Sequence, residues 1–407
     1  MKNAFTWLLL LLCQLALEAQ AGFEILKDVK RIDIPFEYKN DLIIVNVTFG
    51  RIFPLKFIFD TGAEHTILSK REITDIMNVP YEREFKLVGS DLKTILTAYL
   101  VRGIHLRVGD MIIPNQSFLV LEEDYFRFEE MAGVEVQGIL GADLFRGLVV
   151  KINYERRIIT LMKTSSFDKP NKGYQALAID VNRNKPYLNT IIRLQTDSAV
   201  QVKLLLDTGA MLSLLLNTDT HPDLRLPANA LKGNIGAGLG GFLEGYLGRV
   251  TALQLGGLQC SEVLTNFQEL AIGVDTAILY SRNGLIGNQI LSRFNVIIDY
   301  PREQLYLQPN KMFNKAFEFD KSGLVLIASD LRLNKFTVHD VLPGSPAAQA
   351  GLLPGDEIRR LNLIPAGFLS LADIHRILKK KVGKKIRIVV KRGDKRLKFR
   401  FSLRKLI

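Results

Sequence analysis

Short apolar runs broken by Gly, Asn, Asp and Pro recur along most of the chain, as in Leu42 to Phe49, Leu55 to Phe59 and Gly103 to Val108. Runs of this length, rich in Val, Ile, Leu and Phe, predict β-strands. The C-terminal quarter reads differently. Ser345-Pro346 opens a short helix that Gly351 ends, since a Ser oxygen takes a first-turn amide, Pro suits the first turn and Gly adopts the turn beyond the last residue. Ser370 and Asp373 predict a second helix through Leu378. Lys384 to Lys391 and Lys395 to Leu403 predict a hairpin around Gly393-Asp394. The fold class expected is mainly β, with a C-terminal α+β unit.

Three pairs of segments repeat at nearly one offset. Lys56-Phe-Ile-Phe-Asp-Thr-Gly-Ala63 recurs as Lys203-Leu-Leu-Leu-Asp-Thr-Gly-Ala210, 147 residues on. Gly138-Ile-Leu-Gly141 recurs as Gly284-Leu-Ile-Gly287, and Ile152-Asn-Tyr-Glu-Arg156 as Ile298-Asp-Tyr-Pro-Arg302. Markers in register predict a duplicated lobe: 22–165 for the first copy, 174–312 for the second and 316–407 for the C-terminal unit. The polar stretch Thr164 to Gly173 would connect the lobes, and Asn310 to Lys315 would separate the second lobe from the C-terminal unit.

Apolar residues make up 47% of the chain and charged residues 24%, which excludes a disordered or collagen-like protein. In residues 1–21, Lys2 precedes an apolar run that ends in Ala19-Gln20-Ala21, the pattern of a cleaved secretory signal. The expected location is periplasmic, envelope-associated or secreted. Leu12 stands where a lipid anchor on Cys13 needs a small residue, so no anchor is expected. Cys260 is the only other cysteine, so stability must come from packing. Residues 316–407 hold 20 Lys and Arg against 8 Asp and Glu, so all of the formal +12 lies there. Basic residues alternating with Ile, Val and Phe read first as the wet face of strands; an anionic envelope surface is the other candidate contact. Export argues against nucleic acid.

The duplicated Asp-Thr-Gly-Ala motifs, each after an apolar strand and each followed by an apolar-apolar-Gly motif, resemble the two half-sites of an aspartic protease. The resemblance covers about residues 31–309. Ala after the triplet and the short lobes are closer to the retroviral (retropepsin-like) type than to the pepsin type, with both lobes fused in one chain. It implies Asp60 and Asp207 as the catalytic pair, sharing one proton because two carboxylates about 3 Å apart cannot both ionise. Gly62 and Gly209 would permit the tight turns, and Thr61 and Thr208 would hydrogen-bond across the axis, beside Ala63 and Ala210. Leu140-Gly141 and Ile286-Gly287 would lie behind the pair. Gly238, Leu239, Gly240 and Gly241 resemble a glycine-rich flap. The repeat offset centres the first flap on Gly89 to Lys93, including Ser90 and Asp91. No metal or cofactor is implied.

Pro343-Gly-Ser-Pro-Ala-Ala-Gln-Ala-Gly-Leu-Leu-Pro-Gly-Asp-Glu-Ile358 resembles the PDZ domains attached to bacterial envelope proteases. By that resemblance Gly323, Leu324, Val325 and Leu326 would form one wall of a peptide groove. Val325 departs from the usual Gly, which favours an apolar or internal segment over a terminal carboxylate. His65, His105, His221, His339 and His375 have no ligand spacing and read as surface residues. The expected function is an aspartic endopeptidase with a peptide or protein substrate, complete in one chain. A catalytically silent peptide-binding or scaffold protein of the envelope is the alternative.

Overall fold

A computed structural model describes residues 30–91, 94–170, 173–195, 198–270 and 282–407. The signal pattern and Lys93 lie outside the described residues. The duplication is visible as topology. In the first lobe the strands lie in the spatial order Glu37–Lys39, Leu42–Phe49, Phe53–Phe59, Gly138–Leu140, Ile67–Leu68, Met111–Leu121, Ile95–Val108 and Arg83–Val88. The second lobe repeats that order with Asp180–Asn182, Lys185–Arg193, Ala199–Leu206, Gly284–Ile286, Leu214–Asn217, Leu258–Gln268, Gly241–Leu255 and Leu231–Gly238. The strands before each Asp-Thr-Gly, Phe53–Phe59 and Ala199–Leu206, thus sit inside their sheets, and their last residues, Phe57 to Phe59 and Leu204 to Leu206, are buried on both faces, which is why these ends read as continuous apolar runs.

A six-stranded sheet joins the lobes. Its two central strands, Val149–Asn153 and Phe294–Asp299, pair antiparallel, with Lys151 opposite Ile297. These two residues are 146 apart, the offset of the Gly motifs, so the pseudo-twofold axis passes between them.

The C-terminal unit has its own sheet, in the order Leu324–Ser329, Lys335–Val341, Glu357–Leu361, Lys385–Arg392 and Lys395–Ser402. Both helices form on their caps. The Ser345 hydroxyl accepts from the Ala348 amide at 3.2 Å ahead of the helix Pro346–Gln349. Ser370 and Asp373 exchange side-chain and backbone bonds at the start of Leu371–Leu378. Leu371, Ile374 and Leu378 turn inward onto Phe336, Ile358 and Ile386. The basic residues of the final hairpin alternate with these buried positions, so Lys385, Arg387 and Lys391 are exposed.

This unit does not hang from a loose linker. Phe317, Leu342 and Ile407 pack into the core of the duplicated lobes. Arg293, at the end of the second lobe, donates to the carbonyls of Met312 and Phe313 at 3.2 Å, to that of Ala316 at 3.2 Å and to that of Lys315, and its guanidinium lies 3.6 Å over Phe317. Asn310 to Lys315 is therefore a packed turn. The histidines also need correction. His65 is exposed, but the other four are half-buried, and two of them lie where the C-terminal unit meets the lobes. His339 stacks on Phe242 and His375 lines the central cavity. Spacing along the chain reports nothing about such contacts.

Candidate active site

Each Asp-Thr-Gly loop begins where its strand meets the apolar-apolar-Gly strand in parallel, Phe59 beside Leu140 and Leu206 beside Ile286. The Asp60 amide donates to the Leu140 carbonyl at 3.0 Å and the Asp207 amide to the Ile286 carbonyl at 2.9 Å. The next glycine along each of these partner segments is required by close approach. A Cβ on Gly141 would stand 2.4 Å from the His65 carbonyl, and one on Gly287 2.3 Å from that of Leu212.

Thr61 and Thr208 are fully buried and bind across the axis in a closed exchange. The Thr61 amide donates to Thr208 Oγ1 at 3.0 Å, and the Thr208 amide to Thr61 Oγ1 at 3.1 Å. Each hydroxyl then donates to the opposite strand, Thr61 to the Leu206 carbonyl at 2.7 Å and Thr208 to that of Phe59 at 2.8 Å. Both hydroxyls are thereby used as donor and acceptor, with no polar group stranded.

This exchange brings Asp60 and Asp207 to either side of the axis, close enough that the charge of Asp207 raises the Asp60 carboxyl. Asp60 Oδ1 accepts from the amides of Gly62 at 2.7 Å and Ala63 at 3.1 Å; Asp207 Oδ1 accepts from that of Gly209 at 2.8 Å. A Cβ on Gly62 would lie 2.5 Å from the Asp207 carboxyl carbon, and one on Gly209 2.4 Å from that of Asp60. Burial, then the charge of Asp207, holds the Asp60 carboxyl well above the usual carboxylate range. Burial also raises Asp207, while the Gly209 amide, the neighbouring Asp60 carboxyl and the cations Arg282 and Lys185 oppose it. Such a pair is stable with one proton between its members.

At the positions expected for flaps, two hairpins meet over the pair. Arg83–Val88 with Ile95–Val108 brings Gly89, Ser90 and Asp91 to one tip; Leu231–Gly238 with Gly241–Leu255 brings Leu239 and Gly240 to the other. The Ser90 amide donates to the Leu239 carbonyl at 2.5 Å. A Cβ on Gly238 would meet Ser90 Oγ at 2.4 Å, so this glycine makes room for the opposite tip. Asp91 stays within its own turn, accepting from the Thr94 amide at 3.0 Å and hydroxyl at 2.6 Å. Beneath the flaps lies a cavity of about 1200 Å³ lined by Asp60, Asp207, both tips and Gly323 to Leu326.

Sequence reasoning missed two groups here. Asn288 Nδ2 donates to the carbonyls of Asp41 at 2.8 Å and Thr208 at 2.5 Å, while Tyr154 donates to Asn288 Oδ1 at 2.7 Å. The signal was present, since the equivalent residue of the first repeat is Ala142 and a polar residue there breaks the symmetry. Lys185 lines the cavity, and burial, aided by Arg282, lowers its ammonium to about 8. No local pattern marks it. Among the described residues no group of His, Cys, Asp and Glu has the arrangement of a metal site.

Residues 45–144 match the family model of an aspartyl protease, and residues 337–392 that of a PDZ domain. No curated protein matches the chain. The protease match ends within the first lobe, and the second lobe repeats its strand order. The chain therefore carries an aspartyl protease domain, in a bilobal arrangement consistent with the retropepsin-like type, and a C-terminal PDZ domain.

Proposed function

We propose that the protein is an aspartic endopeptidase whose catalytic pair is Asp60 and Asp207. The observation that carries this reading is the close approach of the Asp60 and Asp207 carboxyls, each crowding the other loop's glycine, beneath two hairpin tips that touch through Ser90 and Leu239. With one proton on the pair, the ionised member takes a proton from a bound water as that water attacks a peptide carbonyl. The protonated member donates to the carbonyl oxygen as the tetrahedral intermediate forms. The proton taken from water then passes to the leaving amine, and the C–N bond breaks.

The flaps cover the site and exclude water, and their exposed backbone suits an extended substrate. Gly62 and Gly209 allow the two carboxyls to approach, and Thr61 and Thr208 hold the loops. Because both halves are covalently joined, one chain is the active unit. Export rests on the pattern from Lys2 to Ala21 alone. The test is cleavage of a peptide library at several pH values by the full chain and by Asp60→Asn. Cut sites produced by the first and absent from the second support the reading; a chain that binds peptides and cuts none supports the silent binder instead.

A further inference from the structure

The groove of the PDZ domain opens into the protease cavity. Leu324–Ser329 is the edge strand of the PDZ sheet, and its first residues line the cavity that holds Asp60 and Asp207. The opposite wall is the outward face of Leu371–Leu378, where Ala372, His375 and Arg376 line the same space. The far end of the groove is covered by the first lobe. Helix Phe128–Ala132 packs on Leu324–Ser329, and a Cβ on Gly133 would lie 3.0 Å from Leu371 Cβ and 3.7 Å from Ala328 Cβ. What stays open is the end that faces the catalytic pair.

The loop at this open end is already supplied with a carboxylate. Asp320 Oδ1 accepts from the Ser322 amide at 2.8 Å, the Ser322 hydroxyl at 2.7 Å and the Gly323 amide at 2.6 Å. The Leu324 amide donates to Ser322 Oγ at 3.1 Å. These amides are the donors that a peptide's terminal carboxylate would require, and the chain's own side chain takes them. A free C-terminus would meet an acidic group instead of open donors. Burial raises the Asp320 carboxyl, and its Oδ2 is sealed from solvent without a hydrogen-bond partner.

We propose that the PDZ groove is a subsite of the protease cleft, filled by an internal, extended segment of the polypeptide being cut. This rests on the proteolytic reading and adds to it where the rest of the substrate goes. The segment runs on from the catalytic pair and adds as a strand to Leu324–Leu326, with backbone bonds supplying affinity. Asp320 excludes recognition by the terminal carboxylate. Helix position Ala372 sets how large a side chain the wall accepts.

The test uses the full chain carrying Asp60→Asn, so that binding is read without turnover. Fluorescence anisotropy compares a peptide of about six residues, some 20 Å when extended, with peptides lengthened to about fourteen on one side or the other. Each is made with a free and with an amidated C-terminus. The expected result is at least about tenfold tighter binding for lengthening on one side only, the same for acid and amide. Ala372→Trp, which fills the wall, should bring the long peptide back toward the short one's affinity. Asp320→Ala should create a preference for the free acid. Equal affinity of long and short peptides, or a marked preference of the unaltered loop for the free acid, overturns the proposal. A gain with length in a chain that never cleaves supports the shared groove and overturns only the proteolytic reading.

Discussion

Phe242 in the second flap stacks on His339 of the PDZ domain, with ring centroids 3.8 Å apart and planes 15° from parallel. The same flap carries Gly233, where a Cβ would lie 2.4 Å from Leu342 of the PDZ domain. The flap's own partner strand binds there too, since Arg249 donates to the Phe317 carbonyl at 2.9 Å. The second lobe's hairpin therefore rests on the PDZ domain, while the first lobe's hairpin meets the opposing tip through Ser90.

Loss of that stack should be felt as weaker flap closure. An aromatic pair contributes about 0.5–1.5 kcal/mol, so Phe242→Ala should lower kcat/KM by about three- to tenfold, mainly through KM. Steady-state kinetics on one peptide, with His339→Ala and the double variant completing a cycle, checks this. Additive effects of the two changes would show that the rings do not work together. Deleting the PDZ domain is a poorer test, because Phe317, Leu342 and Ile407 belong to the protease core.

The cross-axis threonines should tolerate Ser and reject Val. Thr208→Val keeps the shape but strands the Thr61 amide and the Phe59 carbonyl in a dry site, at about 1–3 kcal/mol each. Thermal unfolding should show a clear loss for Thr208→Val and a small one for Thr208→Ser, with activity in the same order.

The pH profile is set by the pair's surroundings. Ala63 and Ala210 carry no hydroxyl to favour the charged carboxylates, and burial raises both groups. The pair works with one proton, between its two macroscopic pKa values, so raising both shifts the active window upward. The expected optimum is mildly acidic to near-neutral. Ala63→Ser with Ala210→Ser supplies donors to the charged form and should move the acidic limb down. An optimum in strong acid, or an unmoved limb in the double variant, contradicts this.

Arg293 should decide whether the PDZ domain stays docked. Its side chain is nearly buried and serves carbonyls from Gln289 to Ala316, so Arg293→Ala leaves several of them unsatisfied and should destabilise the chain by about 3 kcal/mol. Limited proteolysis should cut faster between 310 and 320. An unchanged digestion pattern would mean that Phe317 and Ile407 hold the domain without it.

The meeting of the two Asp-Thr-Gly loops was legible in the sequence because the motif is duplicated. Asp60, Asp207 and their neighbours are local motifs whose spacing repeats, and the flap of the second lobe declares itself through Gly238, Gly240 and Gly241. The first flap has few glycines, and only the repeat offset placed it. What could not be read is whatever depends on two distant segments touching. Ser90 meeting Leu239, Phe242 meeting His339 and Lys185 entering the cavity each join residues whose own neighbourhoods carry no mark of the partner. His375 shows the same limit. Burial, then Lys379, lowers its imidazole to about 4, and its position on the helix gives no hint of that.

If two half-sites in one chain make one protease, Asp207 is the residue to change, because it lies outside the family match, in the second lobe. The decisive measurement is turnover per chain for the unaltered protein and for Asp207→Asn, on one peptide over a wide dilution range. The expected result is a rate per chain that stays constant on dilution for the unaltered protein, and a loss of about a thousandfold or more in Asp207→Asn with the fold intact. Near-normal turnover in Asp207→Asn, or a rate that collapses on dilution, would contradict it.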